Sequence, residues 1–249
     1  MQDKAKRKKD RRLVVASLLL FLAGLAVLLF PRFTNKLYNE KVQQQKAVFE
    51  QQIEEAAAQL ENMVQDTPVH PFEKLYQELK RRNKELYEEK QKNLKDPFSY
   101  EQPTIDLTEY ELEGNIIGFI SIPKMDVELP ILLGANTANM REGAVHLTET
   151  SYPIGGENTN CVLAAHRGYS RTAMFRDIEK LEIGDEIYIQ NFRETLTYRV
   201  AELRVISPTD VRELLIQPRR DLVTLITCHP YRYNYQRYVV YCERVNSGH

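Results

Sequence analysis

The stretch Leu13–Phe30, "LVVASLLLFLAGLAVLLF", runs for eighteen residues without a charge. Coiled as a helix it reaches about 27 Å, close to the hydrocarbon thickness of a bilayer. A signal peptide has a shorter apolar core followed by a small-x-small cleavage pattern, and "PRFTNKLY" after the run offers none. An uncleaved transmembrane helix over 13–30 is therefore expected. Residues 1–12 carry seven basic side chains against two acidic ones, so +5, which leaves −6 for the rest of a chain whose total is −1. Basic residues ahead of the span put the N-terminus in the cytoplasm and everything after Pro31 outside the cell. The acidic balance of that outer part argues against nucleic acid as a partner.

An extracellular setting makes the cysteines informative. There are three, Cys161, Cys228 and Cys242, whereas a disulfide scaffold shows a dense, even set. Cys161 and Cys242 sit in apolar, strand-like runs and read as small buried hydrophobes, with a bridge between them left open.

Beyond the span, residues 36–64 carry Phe49, Ile53, Ala57, Leu60 and Val64 at spacings of three and four, the pattern of an amphipathic helix. Pro68 and Pro71 interrupt it. A second helix is expected near 72–94, with Leu75, Leu79, Leu86 and Leu94 on one face. Residues 31–108 thus read as a helical spacer, or as a coiled-coil pair lifting a domain off the membrane. From about 109 to 249 the texture changes to short apolar and β-branched runs: "NIIGFISIP", "VELPILLG", "NCVLAAH", "DEIYIQNF", "TLTYRVAELRVI", "LVTLITC" and "RYVVYCERV". Gly, Pro, Asn and Asp separate them, which predicts a mainly β barrel or sandwich. Helical turns are expected at "AMFRDIEKL" and "TDVRELLI".

Three residues in this β region invite chemistry. Cys228 ends the run "LVTLITC", where a strand exposes side chains, and its basic neighbours favour thiolate over thiol. His166 closes "NCVLAAH" beside the Gly168 turn, and a cysteine nucleophile needs a proton-transfer partner of that kind. His146 and His229 are its rivals. Arg237 opens the last strand nine residues after Cys228, and a guanidinium there could donate to an oxyanion. Arg232 competes with it in the same loop. Cys161, His166, Cys228 and His229 offer metal-ligand chemistry on paper, but their spacing lacks the paired elements of a zinc site, so no metal is expected.

These motifs resemble the sortases, membrane-anchored cysteine transpeptidases of Gram-positive bacteria. "TLITC" is similar to the family's TLxTC signature with Cys228 as nucleophile; "LAAHRG" matches its catalytic histidine at His166, and Arg237 its arginine. "GFISIPKMDVELPI" resembles the opening strands of the family's closed barrel. Several segments, "HLTETSYPIGGENTNCVLAAHRG" among them, run like class C members, the pilin polymerases. "KDPFSY" resembles the class C lid, with Asp96, Pro97 and Phe98 as its members. The resemblance implies a substrate with a threonine-containing, LPxTG-like sorting signal on a pilin or surface protein. It also implies a lysine amine of another pilin as acceptor, or peptidoglycan attachment if the class differs. Departures are visible: His229 and Gln236 stand where class C often has Thr and His, and "CERVNSGH" carries no second anchor. A papain-like hydrolase places its Cys before its His, the reverse of the order here. A non-catalytic membrane-tethered binding module leaves the Cys–His–Arg set unexplained.

Overall fold

The computed structural model describes residues 2–63, 70–94, 103–168 and 172–245, with side chains over 13–61 within the first of these. The expected anchor and the amphipathic helix after it are one element, α1 (Gln2–Met63), and Pro31 lies inside it. Proline removes one helical N–H; three residues on, Thr34 Oγ1 donates to the Pro31 carbonyl at 3.1 Å. Within the apolar run Ser17 Oγ donates to the Leu13 carbonyl at 2.9 Å, which satisfies the hydroxyl inside the helix itself. The 13–30 side chains touch nothing else in the fold and stand exposed.

The second helix, α2 (Glu73–Glu88), stops six residues short of the expected boundary, with Leu94 beyond its end. Neither helix is a free-standing spacer. Val42 and Phe49 of α1 and Leu75 and Leu79 of α2 are buried in the same apolar cluster as the strands. Phe49 meets Phe119 edge-on at 5.6 Å. The apolar faces read as coiled-coil seams are instead the cladding of the β domain, because a sheet offers them more apolar area than a lone partner helix.

Eight strands follow: β1 (Ile116–Ile122), β2 (Val127–Leu133), β3 (Ala144–His146), β4 (Thr159–Ala164), β5 (Glu186–Asn191), β6 (Thr195–Ile206), β7 (Asp221–His229) and β8 (Gln236–Arg244). They close into a barrel in the order β1-β2-β3-β4-β7-β8-β6-β5. Seven of them match the expected runs. The eighth, β3, is three residues long, too short to show an alternation. A one-turn helix-like stretch appears in each of the two expected places, Ile178–Lys180 and Val211–Leu214. The short α3 (Thr137–Glu142), capped by the Asn136 side chain, was not legible.

Register sorts the side chains. Leu163, Leu225 and Val240 face the barrel interior with Cys161, Val223 and Cys242, all in the large cluster. Their neighbours Val162, Ala164, Ile226, Val239 and Tyr241 point outward into a second cluster with Met140, Val145 and Leu147. Cys161 and Cys242 both pair with Val223, one on each side. They are two strand spacings apart, about 9.5 Å, beyond the roughly 7 Å that a disulfide can span. Both are unbridged, and burial pushes both thiols well above their ordinary pKa.

His146, one rival for the catalytic histidine, points into the interior. It stacks on Tyr152 at 4.8 Å and its Nε2 lies 3.1 Å from the Ser151 carbonyl. Burial lowers its pKa from the usual 6.5 to about 4. Below pH 6.5 the unfolded chain therefore binds a proton that the native state excludes. The stabilising contribution is complete above that pH and is lost as pH falls toward 4. It should drop by about 2 kcal/mol between pH 7 and pH 5. His146→Gln, compared with the parent by urea unfolding at both pH values, should lose less stability on acidification by that amount. Equal losses would refute this account.

Candidate active site

The strand pairing assembles the candidate residues. Cys228 and Arg237 are direct partners in the antiparallel β7–β8 ladder. Directly opposed residues there have Cα atoms about 4.5–5.5 Å apart and side chains on one face. β4 runs parallel to β7 with a constant offset, Thr159 opposite Asp221 through Ala164 opposite Ile226. Beyond the last ladder pair Ala165 N still donates to the Ile226 carbonyl and Thr227 Oγ1 to the Ala165 carbonyl. The same offset carried two residues further sets His166 level with Cys228. His166, Cys228 and Arg237 thus form a row across three neighbouring strands on the outer face, just past the apolar floor of Ala164, Ile226 and Val239.

Each is held locally. Phe175 N donates to the His166 carbonyl at 3.1 Å, folding the following loop back on the strand end. Gly168 makes that return possible: its φ is +82°, and a Cβ there would meet Arg176 Nε at 2.9 Å. Arg237 is 5% exposed, and its Nη1 donates to the carbonyls of Asn234 at 2.8 Å and Gln236 at 3.1 Å. The β7–β8 hairpin therefore grips the guanidinium from its own backbone. Arg232, its competitor, is exposed near the hairpin tip with its guanidinium over the Tyr231 ring. Cys228 is half-buried at the strand end.

The electrostatics favour a neutral imidazole. Burial lowers the His166 pKa, and the positive charge of Arg141 on α3 lowers it further. His166 therefore carries little charge at neutral pH until it takes the proton of a neighbouring acid.

The next row of residues lies on the opposite face. Arg167 is buried; its Nη1 donates to His229 Nδ1 at 2.8 Å and reaches the Cys228 carbonyl at 3.4 Å. Its Nη2 pairs with Glu179 at 2.5 Å. His229, the other rival to His166, is committed to this buttress behind the strand. Arg167, Glu179 and Arg141 are the members that sequence reasoning missed. The period-two alternation on either side of Cys228 and His166 was the available signal for Arg167. The four side chains weighed as metal ligands do not converge, since Cys161 faces the interior five residues up the strand from His166. Asp96, Pro97 and Phe98 lie outside the described residues. The ends of that segment are anchored: Leu94 packs on the outer cluster, and Thr104 Oγ1 lies 2.8 Å from the Tyr152 hydroxyl. Gln91, just ahead, bonds Glu149 and Ile216 backbone groups.

Known proteins share this fold and part of its sequence. A family model described as a sortase domain matches residues 120–245. Sortase D of Bacillus subtilis is 30% identical over 135 residues, which span 53% of this chain and 65% of that protein. A crystal structure of Streptococcus agalactiae sortase C1 is 32% identical with a TM-score of 0.66, covering 72% of this chain and 91% of that one. A pilus-related sortase C of Group B Streptococcus is 31% identical with a TM-score of 0.60, covering 79% and 97%.

Proposed function

The chain belongs to the sortase family, whose members are cysteine transpeptidases, and on that premise we propose that it joins pilin subunits at the membrane surface with Cys228, His166 and Arg237 as its machinery. The observation that carries the reading is the single row these three residues form across β4, β7 and β8.

In this reading Cys228 gives its proton to His166, and the thiolate attacks the threonine carbonyl of an LPxTG-like signal. Arg237, already oriented by the Asn234 and Gln236 carbonyls, donates to the developing oxyanion. The threonine–glycine C–N bond breaks as the His166 imidazolium protonates the departing glycine nitrogen. The resulting thioester is resolved by a lysine amine of the next pilin: the new C–N bond forms, the thiolate leaves, and the amine proton passes to His166. No cofactor enters, because the thioester keeps the energy of the cleaved bond. Likeness to a pilus-related sortase supports the pilin acceptor.

Residues 13–30 hold the enzyme in the membrane, with the basic tail in the cytoplasm and the barrel outside. Tethering raises its effective concentration toward membrane-held substrates. Asp96, Pro97 and Phe98 act as a lid; support comes from Leu94, which packs on the outer apolar floor just ahead of the segment, and from Thr104, which fastens its other end to Tyr152.

Intact-mass spectrometry of the protein with threonine-containing sorting peptides tests the assignment. An acyl adduct mapping to Cys228 and discharged by an amine is expected, and faster discharge by a pilin lysine than by a peptidoglycan-type amine favours pilus assembly. Absence of any adduct in the folded, reduced protein across a panel of signals would overturn the enzyme reading. Asp96→Ala combined with Phe98→Ala should speed adduct formation several-fold. An unchanged rate would remove the lid from the mechanism.

A further inference from the structure

The molecule leaves its large apolar and aromatic side chains exposed at few points. Outside α1, five such side chains among the described residues are exposed, and three of them are Tyr231 (43%), Tyr233 (62%) and Tyr235 (60%) at the tip of the β7–β8 hairpin. Their rings cluster: Tyr233 and Tyr235 lie 5.7 Å apart, and the Arg232 guanidinium sits 5.5 Å over Tyr231. Arg237 is held by the hairpin backbone, and these side chains stand exposed beyond it.

The course of α1 says what they face. The helix leaves its apolar run at Phe30 without a break and reaches the catalytic end of the barrel almost at once. Asn35 Oδ1 accepts from Ala173 N at 3.2 Å, in the loop that folds back on His166, and the Tyr38 hydroxyl donates to the Glu142 carbonyl at 2.7 Å. Five residues of helix separate Phe30 from Asn35, about 7.5 Å. From the level of Cys228 the strand continues one residue, to His229, and the turn over 230–235 carries the chain on past the same end of the barrel before β8 begins at Gln236. The tip therefore projects from the end of the barrel at which the apolar run departs, across the barrel from α1, which packs on β1 and β2.

We infer that the tip formed by Tyr231, Arg232, Tyr233 and Tyr235 is a second membrane contact that rests in the headgroup layer and holds the catalytic end against the bilayer. Tyrosine suits that layer, with an apolar ring and a polar hydroxyl, and arginine pairs with anionic headgroups. With α1 on one flank and the hairpin on the other, the Cys228 row is fixed close to the membrane, where a substrate still held by its own apolar tail presents its signal. This inference rests on the membrane reading of residues 13–30 proposed above.

The chain contains no tryptophan, so one introduced tryptophan is a clean reporter. Tyr233→Trp, Leu25→Trp in the apolar run and Tyr87→Trp at the far end of the barrel would each be placed in the full chain. Each would be reconstituted into phosphatidylcholine–phosphatidylglycerol vesicles with lipids brominated near the headgroup end of the acyl chains. The expected result is loss of emission for Leu25→Trp and Tyr233→Trp and none for Tyr87→Trp, with a blue shift of Tyr233→Trp relative to the same protein in detergent-free urea. An unquenched Leu25→Trp would reject the membrane reading itself. A quenched Leu25→Trp with Tyr233→Trp as bright as Tyr87→Trp would reject the hairpin contact alone and return the tyrosines to a protein partner. Equal quenching of all three would also overturn it, since the tip would then be no nearer the lipid than the far end.

Discussion

Cys228→Ala is expected to take acyl-adduct formation from stoichiometric to undetectable and to lower transpeptidation on the order of 10⁴-fold or more, with the unfolding transition unmoved. The size of the effect follows from covalent catalysis: without the sulfur no thioester exists to conserve the energy of the cleaved bond. The neutral effect on stability follows from position. Cys228 is half-buried at a strand end, while the packing of β7 is carried by Val223, Leu225 and Ile226, all fully buried. Cys228→Ser should be equally inactive, because a hydroxyl beside an imidazole of depressed pKa finds too weak a base. Kinetics with a sorting peptide and a thermal melt check both halves. Retained turnover in Cys228→Ala would assign the chemistry elsewhere.

Arg237→Ala should cost about 10²–10³ in kcat, the usual loss when one oxyanion donor is removed. The guanidinium is buried and held by two carbonyls of its own hairpin, so it meets the transition state without reorganising. Arg237→Lys should recover little. The three N–H bonds of an ammonium radiate from one nitrogen and do not reproduce the planar fork that spans both carbonyls and the substrate oxygen. The diagnostic is the pattern of constants: kcat and kcat/KM should fall together with KM little changed, the mark of an interaction made only in the transition state. A rise in KM alone would make Arg237 a binding residue. Because the hairpin also loses two hydrogen bonds to a charge, a modest drop in Tm accompanies the variant and is separable from the kinetic loss.

The buttress behind the site explains how a chain with His229 next to the nucleophile keeps one histidine for chemistry. Strand alternation sends neighbours to opposite faces. His229 is drawn back to Arg167, and His166 shares a face with Cys228.

Much of this protein could be read from residues in order. The apolar run of 13–30, the seven longer strand runs, and the ends of the runs holding Cys228 and His166 are local patterns, and local patterns survive without a partner. Side-chain types at strand ends named the chemistry before any pairing was known. What residues in order could not supply was registration between distant strands. The offset of β4 on β7 and the pairing of Cys228 with Arg237 are set by hydrogen bonding between segments some sixty and nine residues apart, and a slip of one residue would have turned the row inward. The same limit hid β3, whose three residues are a strand only because β2 and β4 flank them. It hid the helices' role, because an amphipathic face records that something covers it but not what. Residue identity determined which groups can react and which segment is long and apolar enough to cross a bilayer; tertiary pairing decided which of those groups meet, since only closure of the barrel brings three separate strand ends to one edge.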